Sequence, residues 1–475
     1  MDAITIGFIF YLVMILLVGF YASRITNNLM DFALGGQRLG PTVIAFSERA
    51  SGESAWLILG LPGAALMVGL LEIWTVLGCI SGIILSWLIV AYPLRLATEK
   101  YNVITLPEFF EKRFDDQSGV IRLLSSLIIT FFFTFYVAAQ FSGAGKVLNV
   151  TFGISQMQGM ILGAVIIVFY TLMGGFLAVA WTDMIQGIIM IGTLVILPIV
   201  AWCELSTTGN NLNMDWSTLY GDKTVPAAIV AAISGLSWGL GYMGQPHLTA
   251  RYMAIDKAEN IKVSRRIAIA WAIPAFFGAM FIGLIGAELI DAGLLSYYGN
   301  TITSISQLSD PEKLMPIMAK NLLPTWIASI FICGAIAAMM STADSQLLVS
   351  TTVLTEDITR KYFKPNTSES ELLKIGRLLT IIIGVIAFYM AWHSKDLVFE
   401  MVSYAWGGLG SAFGPALVLS LWWKDICKEG VLAGLVCGTF FTVYPLFGDL
   451  VTPRLSAFLI SGLAVIIISK LKKTR

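Results

Sequence analysis

Charged residues are scarce in this sequence of 475 residues, because Asp, Glu, Lys and Arg together make up only 13% of it. A soluble globular protein typically carries about 25%, whereas 57% of this chain is hydrophobic. Most of the protein's surface must therefore face lipid rather than water. Long polar linkers and charge blocks are also missing, which favours a single membrane domain over residues 1–475. The formal net charge is zero and the basic residues are dispersed, which argues against a nucleic-acid partner.

The sequence also lacks the patterns of metal, disulfide and catalytic sites. It has two histidines and five cysteines, with no CxxC pair and no Cys/His cluster, which argues against a disulfide framework or a transition-metal site. There is no GxxxxGK[ST] loop and no nucleophile–base pattern. An ATP-driven pump and a membrane enzyme are therefore disfavoured, and no organic cofactor is expected. A secondary transporter remains the first hypothesis, with a channel or uniporter as the alternative.

Long apolar runs dominate what is present. A helix needs about 20 apolar residues to cross the hydrocarbon core, and a β-barrel would instead show short alternating segments. The sequence therefore predicts an all-α polytopic membrane protein. The first run has no basic stretch before it and no small-residue cleavage site, so it is interpreted as a retained span. Thirteen transmembrane helices are predicted, at 3–23, 41–69, 73–94, 122–149, 157–181, 184–203, 224–249, 267–289, 322–350, 376–393, 397–423, 429–447 and 455–470.

The basic residues are distributed unevenly between the loops on the two sides. Lys and Arg favour the cytoplasmic side of a membrane. With the N-terminus outside and the C-terminus cytoplasmic, most of the 30 Lys and Arg residues fall on the cytoplasmic side, in groups such as 251–266, 360–377 and 470–475. This bias predicts a multi-pass protein of the cell membrane in that orientation, and it does not indicate an oligomeric state. The outside keeps Lys146, Lys223, Lys313, Lys320, Lys395 and Arg454.

Two predicted spans are interrupted by glycine and proline. The second contains Gly60 and Pro62, and the seventh contains Gly239, Gly244 and Pro246. Five spans separate their starts, so they take matching places in two five-helix halves. Such paired interruptions indicate an inverted-repeat transporter with its site near the bilayer midplane, although channels also contain broken helices. The predicted parts are a first span and loop (1–37), two repeats (38–205 and 224–424) and two C-terminal spans (429–475).

Glu48, Arg49 and Glu53 lie inside the second predicted span. A charge at the bilayer centre costs roughly 3 kcal/mol or more, so such residues face a cavity or one another. Arg49 and Glu53 are four residues apart and share a helix face, so we expect them to form a buried pair. One interpretation is an ion pair that braces the helix, and the other is a cation or proton path.

Hydroxyl and carboxylate side chains cluster in the ninth predicted span, at Ser341, Thr342, Asp344 and Ser345. Hard oxygen ligands of this kind suit an alkali cation, whereas a lone serine or threonine often only bonds a helix backbone. Asp183 lies at the predicted junction of the fifth and sixth spans. It is either part of an ion path or the N-cap of the sixth span.

Aromatic side chains accompany the small residues of the interrupted spans. Trp238 and Tyr242 lie among glycines in the seventh span, and Trp56 and Tyr136 lie inside the second and fourth. Most membrane tryptophans belong to interfacial belts. A tryptophan in mid-span beside glycines instead indicates the wall of a compact pocket.

Taken together, these motifs resemble the sodium/solute symporter family, and within it the sodium/proline symporter branch. The resemblance covers nearly the whole chain. It rests on Leu34-Gly35-Gly36, Leu39-Gly40-Pro41, Gly60-Leu61-Pro62-Gly63, Thr105-Leu106-Pro107, Gly174-Gly175-Phe176-Leu177-Ala178-Val179, Trp181-Thr182-Asp183, Trp238-Gly239-Leu240-Gly241-Tyr242, Gly244-Gln245-Pro246-His247, Met340-Ser341-Thr342 and Gln346-Leu347-Leu348.

The resemblance implies a LeuT-like five-plus-five inverted-repeat core with thirteen transmembrane helices, Na⁺ as the coupling ion and a small amino acid as the solute. The implied residues fall into three sets. Those of the principal sodium site are Ala50, Glu53, Ala338, Ser341 and Thr342. Those of a candidate second cation site are Asp183, Asp344 and Ser345. Those of the solute pocket are Trp56, Tyr136, Trp238, Tyr242, Gln245 and Pro246.

Three positions depart from the branch, which has an aspartate where this chain has Gly52 and uncharged small residues where it has Glu48 and Arg49. Glu53 is then either a replacement carboxylate or a proton carrier, and Arg49 is a candidate substitute for the charge of sodium. The expected function is a sodium-coupled symporter that imports a small amino acid, with L-proline the best single solute. The alternatives are a proton-coupled or ion-independent carrier of another small zwitterion, and a transporter-like sensor.

Overall fold

The computed structural model describes residues 3–26, 29–209, 212, 219, 224–446 and 452–473. Nearly all of this part is helical. The α-helices are α1 (Ala3–Ser23), α2 (Leu29–Leu34), α3 (Pro41–Ala55), α4 (Leu61–Val68), α5 (Ile73–Leu85), α6 (Tyr92–Tyr101), α7 (Leu106–Arg113), α8 (Val120–Phe152), α9 (Gln156–Thr207), α10 (Val225–Leu236), α11 (Trp238–Gly241), α12 (Pro246–Ala254), α13 (Ile261–Asp291), α14 (Leu314–Leu322), α15 (Thr325–Thr352), α16 (Glu369–His393), α17 (Val398–Trp422), α18 (Lys428–Val443) and α19 (Pro453–Lys473).

Shorter elements connect these helices. Wider helical turns lie at Trp56–Gly60, Ser86–Ala91 and Val353–Phe363. Tighter turns lie at Gly35–Gln37, Gly69–Glu72, Tyr242–Gly244, Ala258–Asn260, Ile305–Gln307 and Pro311–Lys313. A small antiparallel hairpin of β1 (Leu295–Tyr297) and β2 (Asn300–Ile302) is the one departure from an all-α fold within the described residues.

Each of the thirteen predicted spans falls on helix in the described part of the chain. Nine helical stretches there are long and apolar enough to cross a membrane by length and composition. The number of crossings therefore stays a prediction. Large apolar side chains such as Phe10, Leu17, Val385 and Leu463 are exposed along α1, α16 and α19, as expected of helices that face lipid.

The predicted boundary between the fifth and sixth spans is wrong. Helix α9 contains both spans and turns at Gly175, whose backbone angles are φ 60° and ψ −168°. This left-handed conformation is one that glycine adopts at little cost. Because the turn precedes Asp183 by eight residues, Asp183 lies inside a helix and its interpretation as an N-cap is contradicted.

The two predicted interruptions are present in the structure. The first lies at Ser54 (φ 32°, ψ −171°), one residue before the end of α3, whereas Gly60 and Pro62, which marked it in the sequence, lie in helical backbone. The second lies at Gln245 (φ −80°, ψ 112°), and α12 begins at the next residue, Pro246. Proline has no N–H and pushes the preceding residue toward extended backbone, which explains this second interruption. A backbone bridge joins Leu39, before α3, to Ile255, after α12.

Close backbone contacts hold the second interrupted span against α5. A Cβ atom added to Gly82 would lie 2.2 Å from the carbonyl oxygen of Gly239. Only glycine fits on both sides of such a contact, as is usual where membrane helices pack closely. Gly82 and Gly239 therefore fix the position of α11 and of the aromatic residues that it carries.

Candidate functional site

Helices α3 and α15 cross at a cluster of buried oxygen atoms, which we call the α3–α15 oxygen cluster. The Ser341 hydroxyl donates to the carbonyl oxygens of Ala50 (2.9 Å) and Ala338 (3.1 Å). The Thr342 hydroxyl donates to the carbonyl oxygen of Ser51 (3.0 Å). All of these residues are fully buried. Carbonyl and hydroxyl oxygens are the ligands that an alkali cation prefers, so this donor set fits sodium.

The structure brings four of the five residues expected at the sodium site into this cluster, and Glu53 is the exception. Its carbonyl oxygen accepts the N–H of Trp56, and its side chain points to Arg49 and Tyr242. The hydrogen bonds therefore draw Glu53 into a different network.

A second buried group, which we call the Asp183 cluster, lies beside the first. It consists of Ser47, Ser51, Asp183, Arg251, Asp344 and Ser345, all fully buried. Asp183 Oδ2 accepts from the hydroxyls of Ser47 (2.6 Å) and Ser51 (3.0 Å) and from Arg251 Nη2 (3.1 Å). The Ser345 hydroxyl donates to the Ser341 carbonyl at 2.7 Å, which joins the two clusters.

The Asp183 cluster has carboxylate oxygens without partners. Among the described residues, Asp183 Oδ1 and Asp344 Oδ2 are buried and have no hydrogen-bond partner. A buried carboxylate oxygen without a partner is costly. Two such oxygens beside three serine hydroxyls form a donor set that fits a hard cation. The structure thus brings together all three residues expected at the second cation site.

Arg251 is the residue of this cluster that sequence reasoning placed wrongly. Its position after the predicted seventh span suggested a cytoplasmic loop, but it is fully buried in α12. Its Nη2 atom donates to Ser51 (2.8 Å) and Ser345 (2.5 Å) as well as to Asp183. Helix α12, which begins directly after the interruption at Gln245, is buried along its whole length, and this position brings Arg251 to Asp183.

A third group, which we call the charge triad, consists of Glu48, Arg49 and Glu53. Arg49 Nε donates to Glu48 Oε2 (2.5 Å), Nη2 pairs with Glu48 Oε1, and Nη1 donates to Glu53 Oε1 (2.5 Å). Trp87 Nε1 and the Tyr252 hydroxyl, both 3.1 Å away, donate to Glu48. The expected pair of Arg49 and Glu53 is thus part of a larger arrangement in which Glu48 holds the guanidinium at two points.

Aromatic side chains build the wall of a compact buried region. The rings of Trp56 and Trp238 stack with centroids 4.7 Å apart, and Trp406 packs edge-on against Tyr242 at 4.6 Å. Trp406 Nε1 donates to the carbonyl of Trp238 (3.0 Å). All four rings are at most 1% exposed.

The remaining expected pocket residues join this wall through Trp406. Gln245 Nε2 donates to the Trp406 carbonyl (3.0 Å), and the Tyr136 ring lies 6.5 Å from the Trp406 ring. Pro246 is buried directly after Gln245. Sequence reasoning missed Trp406, although Gly407 and Gly408 beside it repeat the signal that identified Trp238, an aromatic residue among glycines in mid-span.

A salt-bridged turn covers one end of the aromatic wall. Phe399 packs against Trp238 with centroids 5.1 Å apart. Glu312 accepts the backbone N–H groups of Val398 (2.9 Å) and Phe399 (2.8 Å), and it pairs with Lys146 Nζ at 2.5 Å. A carboxylate at the start of a helix is favoured by the helix dipole, so Glu312 secures the first turn of α17 over the aromatic region.

Helix α3 links all these parts. One side of it reaches the oxygen cluster through Ala50 and the Asp183 cluster through Ser51, and its end carries Glu53 beside Tyr242. An ion at the oxygen cluster and a solute at the aromatic wall would therefore contact the same short, broken helix. This arrangement can couple the binding of the two.

Comparison with known proteins agrees with this geometry. The family described as "Sodium:solute symporter family" matches residues 32–438. The high-affinity proline transporter PutP of Bacillus subtilis (strain 168) is 40% identical over 430 residues, which cover 89% of this chain and 88% of that protein. The sodium/proline symporter of Escherichia coli (strain K12) is 35% identical, with 98% of this chain and 93% of the relative covered.

Solved structures share the fold. A Na⁺-coupled sialic acid symporter in a substrate-bound outward-open state has a TM-score of 0.77 and 20% identity, with 99% of this chain and 98% of that chain covered. The transporter MhsT in complex with L-phenylalanine has a TM-score of 0.56 and 14% identity, with 90% and 97% covered. These likenesses confirm the expected LeuT-like architecture. The chain belongs to the sodium:solute symporter family and is a multi-pass membrane transporter, not an enzyme.

Proposed function

We propose that this protein is a sodium-coupled symporter that imports a small amino acid, L-proline above others, by alternating access. The observation that carries the proposal is the oxygen cluster at the crossing of α3 and α15, which α3 links to the aromatic wall through Glu53 and Tyr242. The relatives named above as proline transporters support the choice of solute.

In this mechanism sodium binds at the oxygen cluster, with Ser341 and Thr342 as side-chain ligands and Ala50 and Ala338 as carbonyl ligands. The Asp183 cluster holds a second cation through Asp183, Asp344 and Ser345. The solute binds against Trp56, Trp238, Tyr242 and Tyr136, with Gln245 and Pro246 at the interruption of the seventh span.

Coupling follows from differential affinity. An ion that binds one conformation more tightly shifts the population toward that conformation. Here the ion contacts both α3 and α15, so it favours the state in which these helices cross closely and complete the pocket. A membrane potential of 100 mV contributes about 2.3 kcal/mol per charge moved, which corresponds to roughly a 50-fold accumulation of solute.

We further propose that the N-terminus lies outside and the C-terminus in the cytoplasm, with thirteen crossings arranged as two repeats, 38–205 and 224–424. The distribution of basic residues supports this orientation. Labelling of single cysteines introduced at exposed loop positions, from each side of sealed vesicles, measures it directly.

The test of function is an uptake assay in proteoliposomes that contain the purified protein, with sodium and proton gradients imposed separately. We expect uptake of L-proline that requires an inward sodium gradient and is stimulated by a negative interior. Uptake driven by a pH gradient without sodium would favour the second candidate, a proton-coupled carrier. That candidate is supported by Gly52 in place of an aspartate and by the carboxylate of Glu53 one position later.

A further inference from the structure

The charge triad contains one more carboxylate than guanidinium. Glu48 and Arg49 neutralise each other at two points, and Trp87 and Tyr252 complete the hydrogen bonds of Glu48. Glu53 shares the same guanidinium through Nη1 (2.5 Å). In the part of the chain that the structure describes, no other basic side chain contacts either carboxylate. Arg49 therefore compensates only one of the two fully buried carboxylates, and Glu53 must take up either a proton or a cation from outside the protein.

Glu53 lies at the aromatic wall and not at the oxygen cluster. The Tyr242 hydroxyl donates to its two carboxylate oxygens at 3.3 and 3.1 Å. Tyr242 packs on Trp406, whose Nε1 atom donates a hydrogen bond to the carbonyl of Trp238. The next residue, Ser54, turns the backbone at φ 32° and has its hydroxyl 3.4 Å from that of Tyr136. Glu53 is thus one hydrogen bond away from the rings that line the proposed solute pocket.

The remaining hydrogen-bonding capacity of Glu53 suits an amine. A carboxylate offers about four acceptor positions, and in the described part of the chain Tyr242 is the only donor to Glu53 Oε2. An ammonium group supplies both the N–H donors and the positive charge, and aromatic faces attract cations. Sodium is better matched at the oxygen cluster, because hard carbonyl and hydroxyl oxygens surround that site.

We propose that the carboxylate of Glu53 binds the cationic amine of the transported solute and selects for solutes that carry one. This inference rests on the proposed function, because it takes the solute to be an amino acid held at the aromatic wall. It assigns to the Glu53 side chain a role in solute specificity, in place of the role in sodium binding that the family resemblance implies. The Glu48–Arg49 pair then acts as a fixed neutral support that orients Glu53.

Three probes separate the two charges of proline. L-proline carries an amine and a carboxylate, pyrrolidine carries only the amine, and tetrahydrofuran-2-carboxylate has the ring nitrogen replaced by oxygen. Apparent affinities are measured by ligand-induced shifts in thermal unfolding of the full-length protein in lipid nanodiscs, in sodium chloride. We expect Glu53→Gln to lower the apparent affinity for L-proline and for pyrrolidine by about 30-fold or more. This is the size of effect expected when one partner of a buried charge pair is lost. Tetrahydrofuran-2-carboxylate should bind the variant as it binds the wild type.

The matched control is Glu48→Gln, which makes the same chemical change in the same triad. Because Glu48 faces Trp87 and Tyr252 and not the proposed solute pocket, Glu48→Gln should lower the apparent affinities for all three probes by similar factors. Equal weakening of all probes by Glu53→Gln would overturn the proposal. The proposal would also be overturned if Glu53→Gln bound L-proline as tightly as the wild type but had lost a pH dependence of proline binding that the wild type shows. Glu53 would then hold a proton and not the amine.

Two further measurements keep the outcome decisive. If Glu53→Gln does not fold, Glu53→Asp keeps the charge and should keep the preference for amines at reduced affinity, and loss of that preference would contradict the proposal. Wild-type protein that binds tetrahydrofuran-2-carboxylate as tightly as proline would also contradict it. Absence of sodium-dependent proline uptake by the wild type would instead overturn the proposed function, while the pyrrolidine arm still tests Glu53.

Discussion

The charge triad and the Asp183 cluster each contain two carboxylates and one guanidinium, yet their surroundings differ. The triad is held by Trp87 and by the hydroxyls of Tyr252 and Tyr242. The Asp183 cluster is surrounded by serine hydroxyls, which donate to a carboxylate or, after rotation, act as ligands of a cation. Of these two groups, as far as the structure describes them, only the Asp183 cluster has carboxylate oxygens without hydrogen-bond partners. The same formal charge thus leaves carboxylate oxygens without partners among serine hydroxyls in one place, and carboxylates held by a guanidinium and aromatic donors in the other.

Removal of the guanidinium from each group tests most directly whether the charge triad and the Asp183 cluster differ in their response to sodium. Arg49→Met leaves two buried carboxylates without compensation, and we expect a loss of stability of about 3–5 kcal/mol. Arg251→Met should cost a similar amount without sodium but should recover at high sodium, because a cation can replace the guanidinium at Asp183 and Asp344. Thermal unfolding in sodium chloride and in choline chloride measures both. Equal rescue of the two variants by sodium would show that the two clusters do not differ as described.

A related variant tests how the triad is paired. Sequence reasoning treated Arg49 and Glu53 as a pair, so that removing both would be less damaging than removing one. In the structure that double change would leave Glu48 alone, whereas Glu48→Gln with Arg49→Met removes the two-point pair. We expect the latter double variant to retain more folded protein in the membrane than Arg49→Met, as measured by size-exclusion profiles of the solubilised protein. Equal yields would contradict the pairing.

The oxygen cluster, which Ser345 joins to the Asp183 cluster, should dominate sodium affinity. Alanine at both Ser341 and Thr342 removes two hydroxyl ligands, and we expect the half-saturating sodium concentration for uptake to rise by about 100-fold, at roughly 1–1.5 kcal/mol per hydrogen-bonding group. Ser350→Ala is the control, because Ser350 is a buried serine further along the same helix. Unchanged sodium dependence in the double variant would place the ion elsewhere.

Asp344→Asn sharpens the assignment of the Asp183 cluster. The change is isosteric but removes the negative charge of Asp344, whose Oδ2 atom has no hydrogen-bond partner among the described residues. We expect sodium activation to become less steep, while the affinity for L-proline at saturating sodium changes by less than about 3-fold. Initial rates of uptake across a series of sodium concentrations give both quantities. Sodium activation of unchanged steepness and midpoint would contradict a cation site at Asp344.

The smallest expected effect lies outside both clusters. Trp238→Ala removes a ring stacked on Trp56, and we expect affinity for the solute to fall by about 10-fold with little change in sodium affinity, since an aromatic contact contributes about 0.5–1.5 kcal/mol beyond its buried area. Trp392→Ala is the control, because Trp392 is 55% exposed on α16. Equal losses of solute and sodium affinity would show that Trp238 acts on the fold and not on the pocket.

Much of the site could be predicted from the sequence because its residues break local rules. Ser341, Thr342 and Asp344 are polar in an apolar run, Glu48 and Arg49 are charged in a span, and Pro246 interrupts a helix. Each anomaly is visible without knowledge of its partners. Arg251 was placed wrongly because a basic residue just past an apolar run is usually in a loop. Trp406 was overlooked because a tryptophan in a membrane span usually needs no special explanation.

The sequence by itself determined the membrane class, the helical architecture and the two interrupted spans. Hydropathy, glycine and proline act locally along the chain, so their consequences can be read from neighbouring residues. Only the tertiary structure decided that Arg49 serves two carboxylates, that Arg251 reaches Asp183 and that Glu53 turns toward Tyr242. These partners are separated by up to 189 residues, and their contacts depend on how α3, α9 and α12 cross. A buried charge is stable only when it is paired, but the identity of its partner depends on tertiary packing, which cannot be inferred from neighbouring residues in the sequence.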